Sequence, residues 1–168
     1  SGSPINEVTS TYTLNGQQAA VADGRGNLTT FLYDGFDRVA ELRFPSAANG
    51  AVSSSTDRET YAYDAASNIT TMTLRDGQQF GLNYDNLNRL TFKNGPDANG
   101  SNDITYAYDN FGRQTAIGNL TFSYDQLSRL TSAGAPLGAV SYQYDASGRR
   151  TRITWPDGFF ATYSYDLT

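Results

Sequence analysis

The sequence contains no cysteine and no histidine among its 168 residues. Without cysteine the chain has no disulfide framework, no thiol nucleophile and no thiolate metal ligand. Without histidine it has no Ser-His-Asp triad, no imidazole ligand and no side chain that ordinarily titrates near neutral pH. We therefore expect no metal site, no cofactor and no catalytic residue of these kinds.

Lysine is nearly absent too, since Lys93 is the only one, and the net charge is -5. This charge disfavours nucleic acid and anionic membrane surfaces as partners, because both reward basic patches. No apolar run approaches the ~18–20 residues that would span a bilayer. No signal peptide is visible, and residues 1–3 read as a cloning remnant, so we expect the native start to be missing.

Aromatic side chains are abundant, with twelve Tyr and nine Phe, although only 38% of residues are hydrophobic. That fraction lies below the ~45–50% of ordinary domains. Rings with polar edges suit half-buried surfaces better than a dry interior. The composition therefore favours a sheet with a partly exposed aromatic face.

A Tyr-Asp pair recurs through the chain with a period near 21 residues, lengthened by insertions. The seven pairs occupy positions 33–34, 63–64, 84–85, 108–109, 124–125, 144–145 and 165–166. A degenerate copy is assigned to residues 22–28. The pattern predicts a lead-in strand over residues 1–19 and a repeat array over residues 20–168 that stops partway through a copy.

Each copy has the pattern of a β-hairpin. A bulky apolar residue stands two positions before every Tyr, which is the period of a strand and places both side chains on one face. The third residue after Asp is Gly, Asn, Asp or Ser, as a left-handed loop position requires. We therefore predict an all-β protein: an antiparallel meander of roughly fourteen to sixteen short strands, forming a curved or spiralling sheet with no helix.

The residue after the left-handed position is Arg in most copies, so a guanidinium can pair with the Asp carboxylate four residues earlier or lie flat on a Tyr ring. We interpret the Asp as a loop cap that accepts backbone N–H groups, because a repeated residue indicates a structural rule whereas a catalytic carboxylate is normally singular. The motif residues are Tyr33, Asp34, Arg38, Tyr63, Asp64, Asn68, Tyr84, Asp85, Arg89, Tyr108, Asp109, Gly112, Arg113, Tyr124, Asp125, Arg129, Tyr144, Asp145, Gly148, Arg149, Tyr165 and Asp166.

Two chemical alternatives remain open. Residues 97–103 carry oxygen ligands at alternate positions, loosely like a calcium loop, but the distal Glu of an EF-hand is absent and a plain loop is favoured. A glycosidase that uses a pair of carboxylates also remains a possible function, because the chain has fourteen Asp.

The segments YDGFDRV, YDNLNRL, YDNFGRQ, YDQLSRL and YDASGRR resemble the YD repeats of the Rhs family. That family includes bacterial polymorphic toxins, the C subunits of insecticidal toxin complexes and the extracellular part of teneurins. The resemblance implies a β-sheet that spirals into a hollow shell around a C-terminal toxin. It carries over no catalytic residue, because nothing here matches the self-cleaving core segment of some members.

We therefore expect a non-catalytic wall segment of a secreted or surface-exposed bacterial protein. Its partners would be a C-terminal toxin or effector and neighbouring repeats. The alternative is an adhesin-like module that binds a glycan or a protein partner. Because repeat arrays leave end strands unpaired, the chain is also expected to curl on itself or to associate edge to edge.

Overall fold

The computed structural model describes residues 7–166, so the predicted remnant at residues 1–3 lies outside the described part. Within that part the chain forms fifteen strands and no helix. The strands are β1 (Val8–Tyr12), β2 (Gln18–Asp23), β3 (Leu28–Tyr33), β4 (Val39–Pro45), β5 (Ser53–Tyr63), β6 (Ile69–Thr73), β7 (Gln79–Tyr84), β8 (Leu90–Asn94), β9 (Ile104–Tyr108), β10 (Gln114–Ile117), β11 (Leu120–Tyr124), β12 (Leu130–Ala135), β13 (Gly138–Tyr144), β14 (Arg150–Thr154) and β15 (Phe160–Thr162).

The chain divides into two compact units, Ser1–Asn102 and Asp103–Thr168. The first contains β1 to β8 and the second contains β9 to β15. In each unit every strand pairs antiparallel with the next strand in sequence. The predicted all-β antiparallel meander and the predicted number of strands are confirmed.

Strand register separates an aromatic face from a polar face. In the first unit Phe31 lies opposite Leu42, and Tyr61 lies opposite Met72. On the other face Thr60 lies opposite both Glu41 and Thr73. We call the face with Phe31 and Tyr61 the aromatic face, and the face with Thr60 the polar face. The alternation follows directly from the period-two pattern of the sequence.

No hydrophobic side chain of the described residues is fully buried. Each sheet is a single layer, so its aromatic face is only half covered by neighbouring strands. A compact domain of this length would bury ~70% of the surface of its unfolded chain. Contacts within the sheet therefore have to supply stability that a closed core would otherwise provide.

In each unit the Tyr-Asp loops that connect two strands lie at the same end of the strands, because each of them joins an odd-numbered strand to the following even-numbered one. Six strands end at the Tyr of a pair, as predicted: β3, β5, β7, β9, β11 and β13. We call the end of the strands that carries these loops the YD end, and the other end of the strands the opposite end. The seventh pair differs, since β15 ends at Thr162, before Tyr165; β15 pairs with β14 alone, so it has less support than an inner strand.

Candidate functional site

The Asp carboxylate of each complete Tyr-Asp loop accepts hydrogen bonds from its own loop. In the first full copy Asp34 Oδ1 accepts from the backbone N–H of Phe36 at 2.8 Å and of Arg38 at 3.0 Å. The Arg38 guanidinium donates through Nε to Asp34 Oδ2 at 2.8 Å. The Asp is therefore bonded on both oxygens. The pairs Asp85–Arg89, Asp109–Arg113, Asp125–Arg129 and Asp145–Arg149 repeat the side-chain bond.

The third residue after Asp has a positive φ in every copy from Asp34 to Asp145, which confirms the predicted left-handed position. Four of these residues are not glycine: Asp37 (62°), Ser67 (67°), Asn88 (59°) and Ser128 (61°). Such a φ costs about 1–2 kcal/mol in a residue with a Cβ. The copies with Gly112 and Gly148 avoid that strain.

These contacts keep the loop carboxylates ionised. Hydrogen bonding from Arg38 holds the pKa of Asp34 below its usual value of 3.8, and Arg89 does the same for Asp85. A carboxyl group with a lowered pKa is a poor general acid near neutral pH. The loop aspartates are therefore unsuited to the proton donor of a glycosidase.

Asn replaces Arg in one complete copy and keeps the bond within the loop. Asn68 Nδ2 donates to Asp64 Oδ2 at 2.9 Å, and its backbone N–H donates to Asp64 Oδ1 at 2.9 Å. Asn68 Nδ2 also donates to Asn88 Oδ1 in the next loop of the YD end, at 2.9 Å. This copy lacks the guanidinium but still reaches its neighbour.

A second set of contacts joins each loop to the next one along the YD end. Arg38 Nη1 donates to the Asp64 backbone carbonyl at 3.0 Å and to Ser67 Oγ at 3.2 Å. The Arg38 guanidinium carbon lies 4.5 Å from the centroid of the Tyr63 ring. In the reverse direction, Tyr63 Oη donates to the Val39 carbonyl at 2.7 Å. We call this combination of contacts a rung.

The second unit repeats the rung. Arg113 Nη1 donates to the Asp125 carbonyl at 3.0 Å, and Arg129 Nη1 donates to the Asp145 carbonyl at 3.0 Å. Three further Tyr hydroxyls donate backwards, Tyr124 to Gln114, Tyr144 to Leu130 and Tyr165 to Arg150. Arg149 stacks on Tyr165 at 4.7 Å although that Tyr lies beyond β15.

The rungs have a direction along the chain. Arg38, Arg113 and Arg129 donate towards the C-terminal neighbour. The Tyr hydroxyls donate towards the N-terminal neighbour, as seen for Tyr33, Tyr63, Tyr124, Tyr144 and Tyr165. The Asp and the Arg of one repeat therefore make contacts both within a hairpin and between hairpins, whereas the Tyr contacts the preceding hairpin. The arrangement fixes the lateral order of the hairpins as well as closing each loop.

The structure contains a further copy at Tyr12–Gln17, which the Tyr-Asp pattern does not reveal. Its loop has Thr13 in place of Asp, with the Gln17 N–H bonded to Thr13 Oγ1 at 3.1 Å, and Gly16 at the left-handed position. Gln17 Nε2 donates to the Asp37 carbonyl of the next YD loop at 2.7 Å, and Tyr33 Oη donates back to the Gln18 carbonyl at 2.8 Å. Counting one period of 21 residues back from Asp34 gives Thr13 (34 − 21 = 13) and would have found it.

The degenerate copy predicted at residues 22–28 forms a loop of the predicted kind, with Gly26 at the left-handed position (φ 82°). Asp23 and Asn27 close the same kind of loop, with Asn27 Nδ2 donating to Asp23 Oδ2 at 2.8 Å. However, this loop joins β2 to β3 and therefore lies at the opposite end. Asp23 and Asp34 are separated by a single strand, whereas successive loops of the YD end are separated by two strands.

The loop at residues 97–103 is closed by its own side chains. Asp97 Oδ2 accepts from the Ser101 backbone N–H at 2.7 Å and from Ser101 Oγ at 2.8 Å. Within residues 7–166 no group of three or more acidic side chains has the arrangement of a metal site. That part of the chain also contains no helix long and apolar enough to cross a membrane.

Comparison with known proteins gives one family match and several structural matches. Residues 124–159 match the RHS Repeat family model. No curated protein matches the sequence. The Photorhabdus luminescens Tc holotoxin pore with a mutated TccC3 is similar over 88% of this chain, with 18% identity and a TM-score of 0.71.

Two complexes of TcdB2 with TccC3 are also similar. The complex described as TcdB2-TccC3-Cdc42 matches 92% of this chain at 17% identity, with a TM-score of 0.69. The complex without the hypervariable C-terminal region matches 88% at 18% identity, with a TM-score of 0.65. This chain spans 9% of the length of each matched chain. At these identities the likeness shows the fold, and the family match bears out the resemblance found in the sequence: the chain carries an RHS repeat at residues 124–159.

Proposed function

We propose that the chain is a non-catalytic wall segment of a secreted bacterial Rhs-type protein, in a shell that encloses or carries a C-terminal toxin or effector. The observation that carries the proposal is the rung. It locks neighbouring hairpins in order without a closed core, as a thin wall requires. The matched solved structures are Tc toxin assemblies, which supports the same function.

The aromatic face supports this assignment. Rings of this face such as Phe31 and Tyr61 are only half-buried, and an apolar surface that stays open can mark a contact with another polypeptide. In a wall, that face meets either the enclosed segment or further repeats. An enzyme is not proposed, because the loop carboxylates are held by Arg or Asn within their own loops.

Limited proteolysis of the natural full-length product tests the proposal. The C-terminal segment should resist cleavage in the full-length protein and be cut rapidly when it is expressed alone. The same segment fused to an unrelated soluble domain is the matched control, because it retains the linkage without the wall. Equal cleavage rates in the full-length protein and in the control would refute enclosure.

An adhesin-like function is the second candidate, and exposed aromatic loop tips favour it. Phe36 and Phe111 occupy the same loop position at the YD end and are 80% and 83% exposed. An exposed aromatic ring at a loop tip, one in each unit, can serve as a binding platform. Binding to a glycan panel should disappear in a Phe36→Ser, Phe111→Ser variant and persist in Leu137→Ser, which alters an exposed tip at the opposite end. Absence of any glycan signal in the unaltered chain removes this candidate.

Edge-to-edge association is proposed as the mode by which the chain meets neighbouring repeats. Among the described strands, β1 pairs with β2 alone and β15 pairs with β14 alone. Each leaves one row of backbone donors and acceptors open to another strand. Sedimentation velocity over a dilution series should show a concentration-dependent increase in mass, whereas a constant monomer mass would contradict association.

A further inference from the structure

Two arginines face each other directly on the polar face of the first unit. Arg43 in β4 lies opposite Arg58 in β5 in the strand register. Like charges directly opposite one another destabilise an antiparallel pair. A chain with a net charge of -5 has acidic residues to spare, so the pairing of two cations requires a local explanation.

One carboxylate serves both arginines. Glu41 Oε1 accepts from Arg43 Nε at 2.7 Å and from Arg58 Nη1 at 3.1 Å. The Glu41 side chain is 17% exposed, whereas the Arg43 and Arg58 side chains are 31% and 44% exposed. Hydrogen bonding from Arg43 lowers the pKa of Glu41, so this carboxylate is ionised at neutral pH. The cluster therefore has a surplus of one positive charge.

The surplus charge borders a concavity with hydroxyl donors. A cavity of about 350 Å³ is lined by Arg58 together with Thr60 and Thr73, which face each other in the register, and by Thr56. Arg75 also lines it, but Asp57 holds Arg75 through two bonds of 2.7 Å. Arg58 thus provides the uncompensated charge in the lining of this cavity, because only one of its nitrogens is bonded to Glu41.

We propose that this concavity binds an oxyanion, a carboxylate or phosphate group, between the Arg58 guanidinium and the hydroxyls of Thr60 and Thr73. A planar guanidinium with free N–H groups matches an oxyanion in geometry and charge. Threonine hydroxyls donate to the remaining oxygens. The bound anion offsets the repulsion between Arg43 and Arg58 that a single carboxylate leaves. The site does not depend on the proposed wall function, and the two can fail separately.

Titration of the whole chain with inorganic phosphate and, separately, with succinate tests the site by backbone NMR shifts at low ionic strength. Saturable shifts should be confined to β4, β5 and β6. Tighter binding of succinate indicates a carboxylate ligand, and tighter binding of phosphate indicates a phosphorylated one. Either outcome supports an oxyanion site, whereas the absence of saturable shifts for both anions overturns it.

Three variants separate a defined site from general charge attraction. Arg58→Gln should weaken binding by roughly tenfold, because it removes a charge-assisted hydrogen bond. Thr60→Val keeps the shape of the side chain and should weaken binding less, by several-fold. Arg25→Gln makes the same change in net charge in the exposed β2–β3 loop and should leave the affinity unchanged. Equal weakening by Arg25→Gln and Arg58→Gln would show non-specific attraction and refute the proposal.

Discussion

The two ends of the strands use the same loop backbone with different side chains. At the YD end, Asp125 N–H donates to the Arg129 carbonyl at 3.0 Å and Ser128 N–H donates to the Asp125 carbonyl at 3.0 Å. At the opposite end, Trp155 N–H donates to the Phe159 carbonyl at 2.8 Å and Gly158 N–H to the Trp155 carbonyl at 3.0 Å. The hydrogen-bonded frame is the same, and neither Asp nor Arg is needed at the first and last positions to form it.

The capping carboxylate can also stand at a different position of the loop, and the loop still closes. In the Trp155 loop the carboxylate comes from the third position, where Asp157 Oδ1 accepts from the Phe159 N–H at 3.0 Å. The β6–β7 loop does the same with Asp76 and Gln78. Loop closure therefore does not explain why Asp and Arg recur at the YD end. The rung explains it, since Arg at the fifth position is the group that reaches the neighbouring hairpin.

The largest effect is expected from Arg38→Ala. The change removes the bond to Asp34, the bond to the Asp64 carbonyl and the stack on Tyr63, so the free energy of unfolding should fall by about 2 kcal/mol. Urea denaturation followed by circular dichroism measures it. Arg25→Ala, in a loop of the opposite end, should change stability by less than ~0.5 kcal/mol. Equal losses in the two variants would show that the two ends do not differ.

Removal of one Tyr hydroxyl isolates the reverse contact of the rung. Tyr124→Phe deletes the bond from Tyr124 Oη to the Gln114 carbonyl, which is 2.9 Å long, and keeps the ring under Arg113. The expected loss is about 1 kcal/mol in the free energy of unfolding. Tyr12→Phe is the control, because Tyr12 is 65% exposed and stands before the first loop of the YD end, which has no preceding loop among the described residues. A loss of the same size at Tyr12 would show a general effect of replacing Tyr by Phe rather than the loss of a rung contact.

The strands, the contact within each loop and the option of an Arg stacked on a Tyr ring were predictable from the sequence, but not that the ring belongs to the next loop. The spacing of four residues between Asp34 and Arg38 is enough to predict their pairing. The bond from Arg38 to Asp64 depends on which loops share a strand end, and that follows only from the order of the strands. The same reason explains why the position of the Asp23 loop could not be predicted, since this loop matches the motif but lies one strand away from Asp34. Thr13 was missed because the copy lacks both charged residues.

The Asn68 copy tests whether a rung can be completed. Asn68→Arg places a guanidinium within reach of Tyr84, as Arg38 lies over Tyr63, and should raise the free energy of unfolding by about 0.5–1 kcal/mol. The lost bond from Asn68 to Asn88 reduces the net gain. A double-mutant cycle with Tyr84→Leu measures the stacking contribution. An equal gain with and without the ring would indicate that the added Arg acts only on Asp64.

Acid should weaken the YD end through its ionised carboxylates, and this is the smallest effect for any single loop because these groups lie at the surface. Hydrogen bonding from the Arg129 backbone and side chain lowers the pKa of Asp125 below 3.8 in the folded protein. A lowered folded pKa means that the contribution of Asp125 is complete above the unfolded value and is lost as pH falls through the folded value. Five loops share this Asp-Arg pair, so their losses accumulate below about pH 4. Asp125→Asn should be less stable than the unaltered chain at pH 7, and the difference should shrink steadily towards pH 3 when unfolding is measured in urea. A difference that stays constant over that range would show that the charge of Asp125 contributes nothing to the stability of the protein.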